Sequence, residues 1–262
     1  MKSKAKLVYR FNIINVNVSI TSLLDIVQVT AGWLRTNRKA YITVTGVHGI
    51  IESYFDEKVR KAHNEACMSV PDGMPLVWIG KLKGHKEIER CYGPDLMLAV
   101  MKDSVEKGYK HFFYGGAEGV AQQLKAVMEE KYPGVNIAGT YTPPFRPLND
   151  YEEKELKNIV SELKPDIFWV GLSTPKQELF MHEYINKIDA KLMIGVGAAF
   201  DFHTGRVKQA PKWIQKIVME WFFRLCMEPR RLWKRYLRNN PLFIILVIMQ
   251  FLGLKKFNTA YK

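Results

Sequence analysis

The feature of this chain that most constrains its fold is a recurring order of local patterns. A short apolar run rich in β-branched and aromatic residues is followed by a glycine-containing turn and then by apolar residues at helical spacing. The clearest runs are residues 40–46, 110–116, 166–173 and 191–197, and helical patterns occupy 94–107, 117–131, 150–163 and 176–188. Nearly continuous apolarity is typical of strands covered on both faces. The alternation predicts an α/β fold: a Rossmann-like, largely parallel sheet flanked by helices.

The basic residues are concentrated towards the C-terminus. The 262 residues carry a net charge of +13, and residues 206–262 contribute thirteen lysines and arginines against two glutamates. Residues 1–205 are therefore nearly neutral. This asymmetry predicts a Rossmann-like core over 1–205 and a basic helical appendage over 206–262 that meets an anionic partner, either a membrane surface or a nucleic acid. A solvated basic tail is the plainer alternative.

The appendage combines its charge with aromatic and apolar side chains. An apolar stripe over 213–225 predicts one helix, and a second short helix after Pro229 places Leu232, Trp233, Tyr236 and Leu237 among five basic residues. The uncharged run at 242–254 would be roughly 20 Å long as a helix, short of the ~30 Å needed to cross a bilayer. Because nucleic-acid binding does not explain this run, the pattern favours a membrane surface and no nucleic acid. Whether the run enters the membrane or packs on protein stays open.

Several common cofactor motifs are missing from the sequence. The turn at 115–119 and the one at 195–200 lack glycines of the dinucleotide fingerprint, no P-loop occurs, and the six histidines form no i, i+4 pair. There is also no D-x-D motif of the kind that holds a divalent cation on a pyrophosphate. We therefore expect no cofactor and no metal, with arginine, lysine or helix N-termini neutralising any anionic leaving group. An NAD-dependent oxidoreductase is the weaker interpretation.

Polar residues that follow the predicted strands are the candidate site. Asp72 stands between Pro71 and Gly73 before an apolar stretch, so it is either a turn residue or a general base. Arg90 is either a surface charge or a phosphate ligand. Backbone N–H groups of a turn such as Gly115–Gly116 suit the approach of a phosphate.

Six segments in order resemble the bacterial WecG/TagA/CpsF glycosyltransferase family between about residues 43 and 236. They read PDGMPLVW, RCYGPDLM, FFYGG followed by AEGVA, VGLSTPKQE, IGVGAAFDFHTGRVKQAPKW and EWFFRLCMEPRRLWKRYL. The resemblance implies an inverting, UDP-sugar-dependent hexosyltransferase that moves N-acetylmannosamine, its uronic acid or a related hexose to a polyprenyl-diphosphate-linked acceptor. Such products enter wall teichoic acid, enterobacterial common antigen or exopolysaccharide. It also implies a peripheral enzyme at the cytoplasmic face of the bacterial cell membrane.

The resemblance also assigns roles to residues. It implies that Asp72 is the general base and that Arg90 assists at the sugar phosphate. The implied nucleotide-sugar pocket contains Thr45, Tyr141, Gln177 and Asp201. Arg224, Arg231 and Arg235 would reach the diphosphates, with Lys234 competing for the role of Arg235.

Two departures from the family pattern concern sugar specificity. An asparagine that many members carry is missing from residues 43–48, where His48 is a possible substitute, and Gln209 replaces a common arginine.

A non-catalytic membrane-surface scaffold that binds nucleotide-sugars or lipid is the alternative function. Such a scaffold needs no base, and turnover would separate the two. A homo-oligomer that buries the apolar tail is a further possibility.

Overall fold

A computed structural model of the chain describes residues 8–216 and 219–257. Its strands are β1 (Arg10–Ile13), β2 (Val16–Ser19), β3 (Ala40–Thr45), β4 (Met68–Pro71), β5 (Lys110–Gly115), β6 (Asn136–Tyr141), β7 (Ile167–Gly171) and β8 (Leu192–Gly195). Its helices are α1 (Leu23–Arg35), α2 (Val47–Phe55), α3 (Glu57–Glu65), α4 (Met74–Leu82), α5 (Gly93–Lys107), α6 (Val120–Lys131), α7 (Asp150–Leu163), α8 (Lys176–Tyr184), α9 (Ala199–His203), α10 (Lys212–Lys216), α11 (Glu220–Met227) and α12 (Pro229–Phe251).

Six strands form a parallel sheet in the order β4-β3-β8-β7-β5-β6. Successive side chains point to opposite faces, as Phe168 and Trp169 show: each is fully buried in a different cluster. Helices cover both faces, so the predicted α/β fold is confirmed. The four apolar runs of the sequence are β3, β5, β7 and β8.

The antiparallel hairpin β1–β2 was not predicted from the sequence. Its two-residue turn places Ile14 and Asn15 at φ 47° and 68°, the left-handed values of a type I′ turn. Asparagine tolerates this region, whereas a β-branched residue rarely does. Ile14 is fully buried and donates its backbone N–H to Oε1 of Gln250, 3.2 Å away. The C-terminal helix therefore supports this turn.

The appendage differs from its prediction in where its helices begin and end. The expected short helix and the apolar run after it form one 23-residue helix, α12, which continues through Pro241. The expected single helix over 213–225 is instead α10 and α11, and residues 217 and 218 lie outside the described residues. Tertiary packing outweighs the helix-breaking tendency of Pro241, because residues on both sides of it are buried against the core.

One face of α12 packs against the core and the other remains exposed. Phe243 and Leu246 join a buried cluster with side chains of α2, α4 and the β1–β2 hairpin. Gln250 Nε2 donates to Asn12 Oδ1 at 3.0 Å. The opposite face exposes Ile244, Ile245, Ile248 and Phe251, and Leu252 and Leu254 are exposed directly after the helix. Within residues 8–216 and 219–257, no helix is long and apolar enough to cross a membrane.

Candidate active site

The candidate site lies where strands β3 and β4 end. Asp72 directly follows β4 and donates its backbone N–H to the carbonyl oxygen of Thr45, at the end of β3, over 2.8 Å. Its Oδ1 accepts the backbone N–H of Gly93 at 3.3 Å. Because Gly93 is the first residue of α5, the carboxyl group lies at the positive end of a helix dipole. Oδ2 of Asp72 faces Gly46: a Cβ atom added to this glycine would lie 3.9 Å from Oδ2.

Arg90 connects this turn with the appendage. Its Nε donates to the carbonyl oxygen of Asp72 at 2.6 Å, and its Nη2 donates to Oε2 of Glu220 at 2.6 Å. The guanidinium also lies over the ring of Tyr92, 4.4 Å from its centroid. Sequence reasoning missed Glu220, although it is one of only two acidic residues in 206–262.

Asp72 sits in an environment that favours its protonated form. Burial raises the pKa of its carboxyl group, and the negative charge of Glu220 raises it further. Arg90, the N–H group of Gly93 and Arg224 act in the opposite direction but do not cancel the effect. A carboxylate with a raised pKa accepts a proton more readily, which suits a general base.

The three arginines assigned from the family pattern lie near one another. Burial lowers the pKa of Arg235, and the positive charges of Arg224 and Arg231 lower it further. In the described part of the chain, the buried Nε atoms of Arg224 and Arg235 have no hydrogen-bond partner. Unpaired buried donors and clustered like charges are costly unless an anion joins them. Lys234 is exposed over the ring of Trp233, so Arg235 is the better placed of the two competitors.

Asp201 borders this arginine cluster from α9. Burial raises the pKa of its carboxyl group, whereas Arg231 and Arg206 lower it. The adjacent Phe202 lies under the Arg224 guanidinium, 5.5 Å from the ring centroid. Helix α9 and the appendage thus share one edge of the site.

Gln177 is buried and links neighbouring turns of the sheet through its side-chain amide. It is 2% exposed. Its Oε1 accepts the N–H of Gly197 at 2.9 Å, and its Nε2 donates to Oε1 of Glu178 at 2.8 Å. These bonds tie the turn after β7 to the turn after β8. Nε2 keeps a second N–H and Oε1 a second lone pair, so the place of Gln177 in the nucleotide-sugar pocket stays a prediction.

Thr45 and His48 also make contacts within the protein. The Thr45 hydroxyl is buried and lies 2.9 Å from Nε2 of His63. Nδ1 of His48 accepts a hydrogen bond from Nδ2 of Asn239 in α12 at 2.8 Å. Burial, followed by repulsion from Arg235, lowers the pKa of His48 to about 4. His48 is therefore neutral near pH 7 and links the core to the appendage.

The two glycines after β5 serve close packing of the strands. Gly115 and Gly116 have φ values of 123° and 77°, and a Cβ on Gly115 would lie 2.6 Å from the carbonyl oxygen of Gly171. Gly116 donates its N–H to that same oxygen at 3.1 Å. The prediction that Gly116 offers its N–H to a phosphate is therefore not met, because β7 already uses that group.

Tyr141 lies apart from the other predicted site residues. It ends β6, whereas Asp72 follows β4, and these strands form opposite edges of the sheet. Five strand spacings separate them by about 24 Å. The Tyr141 hydroxyl donates to Oε2 of Glu155 at 3.1 Å, and its ring stacks on Tyr114. The strand order thus separates Tyr141 from Asp72, and the place of Tyr141 in the nucleotide-sugar pocket stays a prediction.

Two further features bear on the location of a ligand. A cavity of about 740 Å³ lies at the amino ends of β3 and β4, opposite the candidate site, and is lined by Arg10, Asn17, Arg38, Asn64, Glu65, Ala66 and Cys67. The described residues contain no group of three His, Cys, Asp or Glu side chains that could hold a metal ion.

Comparisons with known proteins identify relatives over most of the chain. The model of the Glycosyl transferase WecG/TagA/CpsF family matches residues 11–257. An N-acetylglucosaminyldiphosphoundecaprenol N-acetyl-beta-D-mannosaminyltransferase of Bacillus spizizenii is 28% identical over 233 residues, covering 89% of this chain and 87% of the relative. A protein of the same name from Bacillus subtilis is 27% identical over 239 residues, covering 91% and 90%.

We expect Asp72→Asn to stabilise the folded protein near neutral pH. A folded-state pKa above the unfolded value means that ionising Asp72 costs more in the folded protein than in the unfolded chain. This cost is present at neutral pH and disappears below the unfolded pKa of about 4. In urea unfolding, the free energy of unfolding of Asp72→Asn should therefore exceed that of the wild type at about pH 7.5, and the difference should shrink at about pH 4.5.

Asp103→Asn is the control for this measurement, because it removes an exposed pair with Lys107 instead. It is expected to give no gain in stability. A loss of stability in Asp72→Asn that is equal at both pH values would contradict the assigned environment.

Proposed function

The chain belongs to the WecG/TagA/CpsF family of glycosyltransferases, and on this basis we propose that it transfers N-acetylmannosamine from a UDP-sugar to N-acetylglucosaminyl diphosphate carried on a polyprenol. The names of the two relatives support this acceptor and this sugar. The observation that carries the proposal is the position of Asp72, a buried carboxyl group beside Arg90 and near an arginine cluster in which the Nε atoms of Arg224 and Arg235 have no hydrogen-bond partner. A non-catalytic scaffold is not favoured.

In the proposed reaction, Asp72 removes the proton from the attacking hydroxyl of the acceptor. Oδ1 of Asp72 already accepts the Gly93 N–H. Oδ2 lies on the side of Gly46, a residue without a side chain, and is the oxygen available for this proton. The hydroxyl oxygen bonds to the anomeric carbon as the bond between that carbon and the UDP oxygen breaks. A single displacement of this kind inverts the configuration. Base catalysis of this type contributes about 10² to 10⁴ in rate.

The departing UDP requires positive charge, which the appendage supplies in this proposal. Arg224 and Arg235 have buried donors without partners, and Arg231 stands beside them. Guanidinium groups bind phosphate oxygens in a bidentate manner, and such bonds are strong where water is excluded. We propose that these three residues stabilise the leaving diphosphate without a metal ion.

A continuous apolar surface beside the site supports attachment to a membrane. Helix α4 begins two residues after Asp72 and exposes Trp78 and Leu82. Lys83 then connects α4 to α12, because its Nζ lies 5.7 Å from the centroid of the Phe251 ring. The apolar face of α12 continues this surface, and the basic first half of α12 lies beside it. Apolar, aromatic and basic side chains in this arrangement fit an anionic lipid surface.

This geometry also suggests how a lipid-linked acceptor reaches Asp72. Helix α4 has nine residues, which span about 13 Å at 1.5 Å per residue. A diphosphate near Asp72 would lie one short helix away from the apolar surface that meets the lipid. We propose that the enzyme works at the membrane surface, with α4 and α12 in contact with the bilayer.

The direct test of the proposed function is release of UDP in the presence of EDTA, measured across a panel of UDP-sugars. We expect release with UDP-N-acetylmannosamine only when a polyprenyl-diphosphate-GlcNAc analogue is present. Omitting the acceptor is the control for slow hydrolysis of the donor. Release that depends on an added divalent cation would contradict the metal-free mechanism, and the absence of release with any donor would contradict the proposed reaction.

The membrane surface is tested by the double variant Trp78→Ser, Leu82→Ser. These side chains are 48% and 76% exposed, so their loss should leave folding intact while binding to anionic vesicles falls several-fold, in line with the lost apolar area. Phe145→Ser is the matched control, because Phe145 is 94% exposed but lies after β6, at the far edge of the sheet. Equal vesicle sedimentation of both variants would contradict a role for α4.

A further inference from the structure

Glu220 is unusual among the side chains of the appendage because it carries a negative charge towards the core. Residues 206–262 contain thirteen basic residues and only two acidic ones, Glu220 and Glu228. Glu228 pairs with Arg231 of the same segment at 2.6 Å. Glu220 instead pairs with Arg90 of the core, also at 2.6 Å, and the two side chains are only 12% and 19% exposed. The segment thus directs one carboxylate into the candidate site.

The partner of Glu220 holds the turn that carries the base. The Arg90 guanidinium is planar, and its contacts with Glu220 and with the carbonyl oxygen of Asp72 use two of its nitrogen atoms. The ring of Tyr92 covers one face of the guanidinium. Contacts at the nitrogens and at a face fix the orientation of the group. The position of the Asp72 backbone therefore depends on a contact made by the appendage.

We propose that Glu220 is a positioning residue for the transfer reaction, which aligns Asp72 through Arg90 and completes the site only when helix α11 is docked. This inference rests on the proposed function, since it concerns the same site. Glu220 need not touch the donor or the acceptor. It acts by limiting the motion of Arg90, and through it the motion of the turn at Asp72.

The same arrangement gives Glu220 an electrostatic effect on Asp72. The groups facing Asp72 are the N–H of Gly93 in α5, Arg90 before that helix, and Glu220 and Arg224 in α11. Arg90, Arg224 and the N–H group favour the ionised carboxylate, whereas Glu220 opposes it.

Two neutral groups complete these surroundings, the Cys91 thiol and the Tyr92 hydroxyl. Burial raises the pKa of Cys91 to about 12 and also raises the pKa of Tyr92, so neither is charged at neutral pH. Loss of the Glu220 charge should therefore lower the pKa of Asp72.

The proposal is tested by Glu220→Gln, with Glu228→Gln as the matched control. Each variant removes one negative charge from the same basic segment, but only the first loses the ionic contact with Arg90. For Glu220→Gln we expect kcat to fall roughly 10- to 100-fold, since small misplacements of a catalytic group have effects of this size. The KM for the donor should change little, and the acid limb of the pH profile of kcat/KM should move to lower pH. Glu228→Gln should keep the wild-type profile, and Glu220→Asp should restore the acid limb.

A second readout separates this proposal from the proposed function. Asp residues labelled with ¹³C at the carboxyl carbon allow NMR titration of Asp72, with the signal assigned from Asp72→Asn. We expect the pKa of Asp72 to be lower in Glu220→Gln than in the wild type and unchanged in Glu228→Gln. This titration needs no substrate, so it still decides the role of Glu220 if no donor and acceptor pair reacts.

Two results would overturn the proposal. One is a Glu220→Gln variant whose kcat, pH profile and Asp72 titration match those of Glu228→Gln. The other is a lower donor KM with an unchanged kcat, because Glu220 would then only occupy the place of a donor phosphate on Arg90.

Discussion

The contact of Arg90 with both Asp72 and Glu220 is the interaction on which the proposed site depends. It joins the turn at Asp72 to helix α11, whose Glu220 lies 130 residues after Arg90 in the chain. The two charged side chains are only 19% and 12% exposed, so loss of either one would leave the other charge poorly compensated. Asp72, Arg90 and Glu220 therefore form one connected unit, and the proposed site includes residues beyond 205.

The docking of α12 places the remaining cationic groups. Apolar packing of Phe243 and Leu246 supplies attraction but little directional preference. The buried Asn239 contact with His48 and the Gln250 contacts with the hairpin are directional, and they are satisfied in one register of the helix. A shift of one turn would break them and would also move Arg235 away from Arg224. These polar contacts thus connect the hairpin, which lies outside the main sheet, to the geometry of the arginine cluster.

The sequence predicted the parts of this structure that depend on local pattern. Apolar runs that alternate with helical patterns predict a parallel sheet, because strands covered on both faces are nearly continuously apolar. The hairpin was missed because its asparagines interrupt the apolar pattern, and the left-handed turn at Ile14 is stabilised by a helix more than 200 residues away. Helix α12 was divided at Pro241 because the burial that stabilises it cannot be read from helix propensity.

The site residues show the same division between local and long-range information. Asp72 and Arg90 were found from the family pattern and are in contact. The separation of Tyr141 from Asp72 could not be read from the sequence, because the order of strands in the sheet is set by tertiary packing. Glu220 was missed because its contact spans the core and the appendage, and the scarcity of acidic residues in that segment was the one available signal.

The central claim is that Asp72 acts as the base within a site closed by the appendage. The most direct test compares turnover and donor binding in Asp72→Asn with those of the wild-type enzyme, using the acceptor analogue in detergent micelles. The account predicts a fall in kcat of about 10² to 10⁴ with the affinity for the UDP-sugar unchanged, since the arginines remain in place. Turnover near the wild-type rate would contradict the assignment of the base and the mechanism built on it.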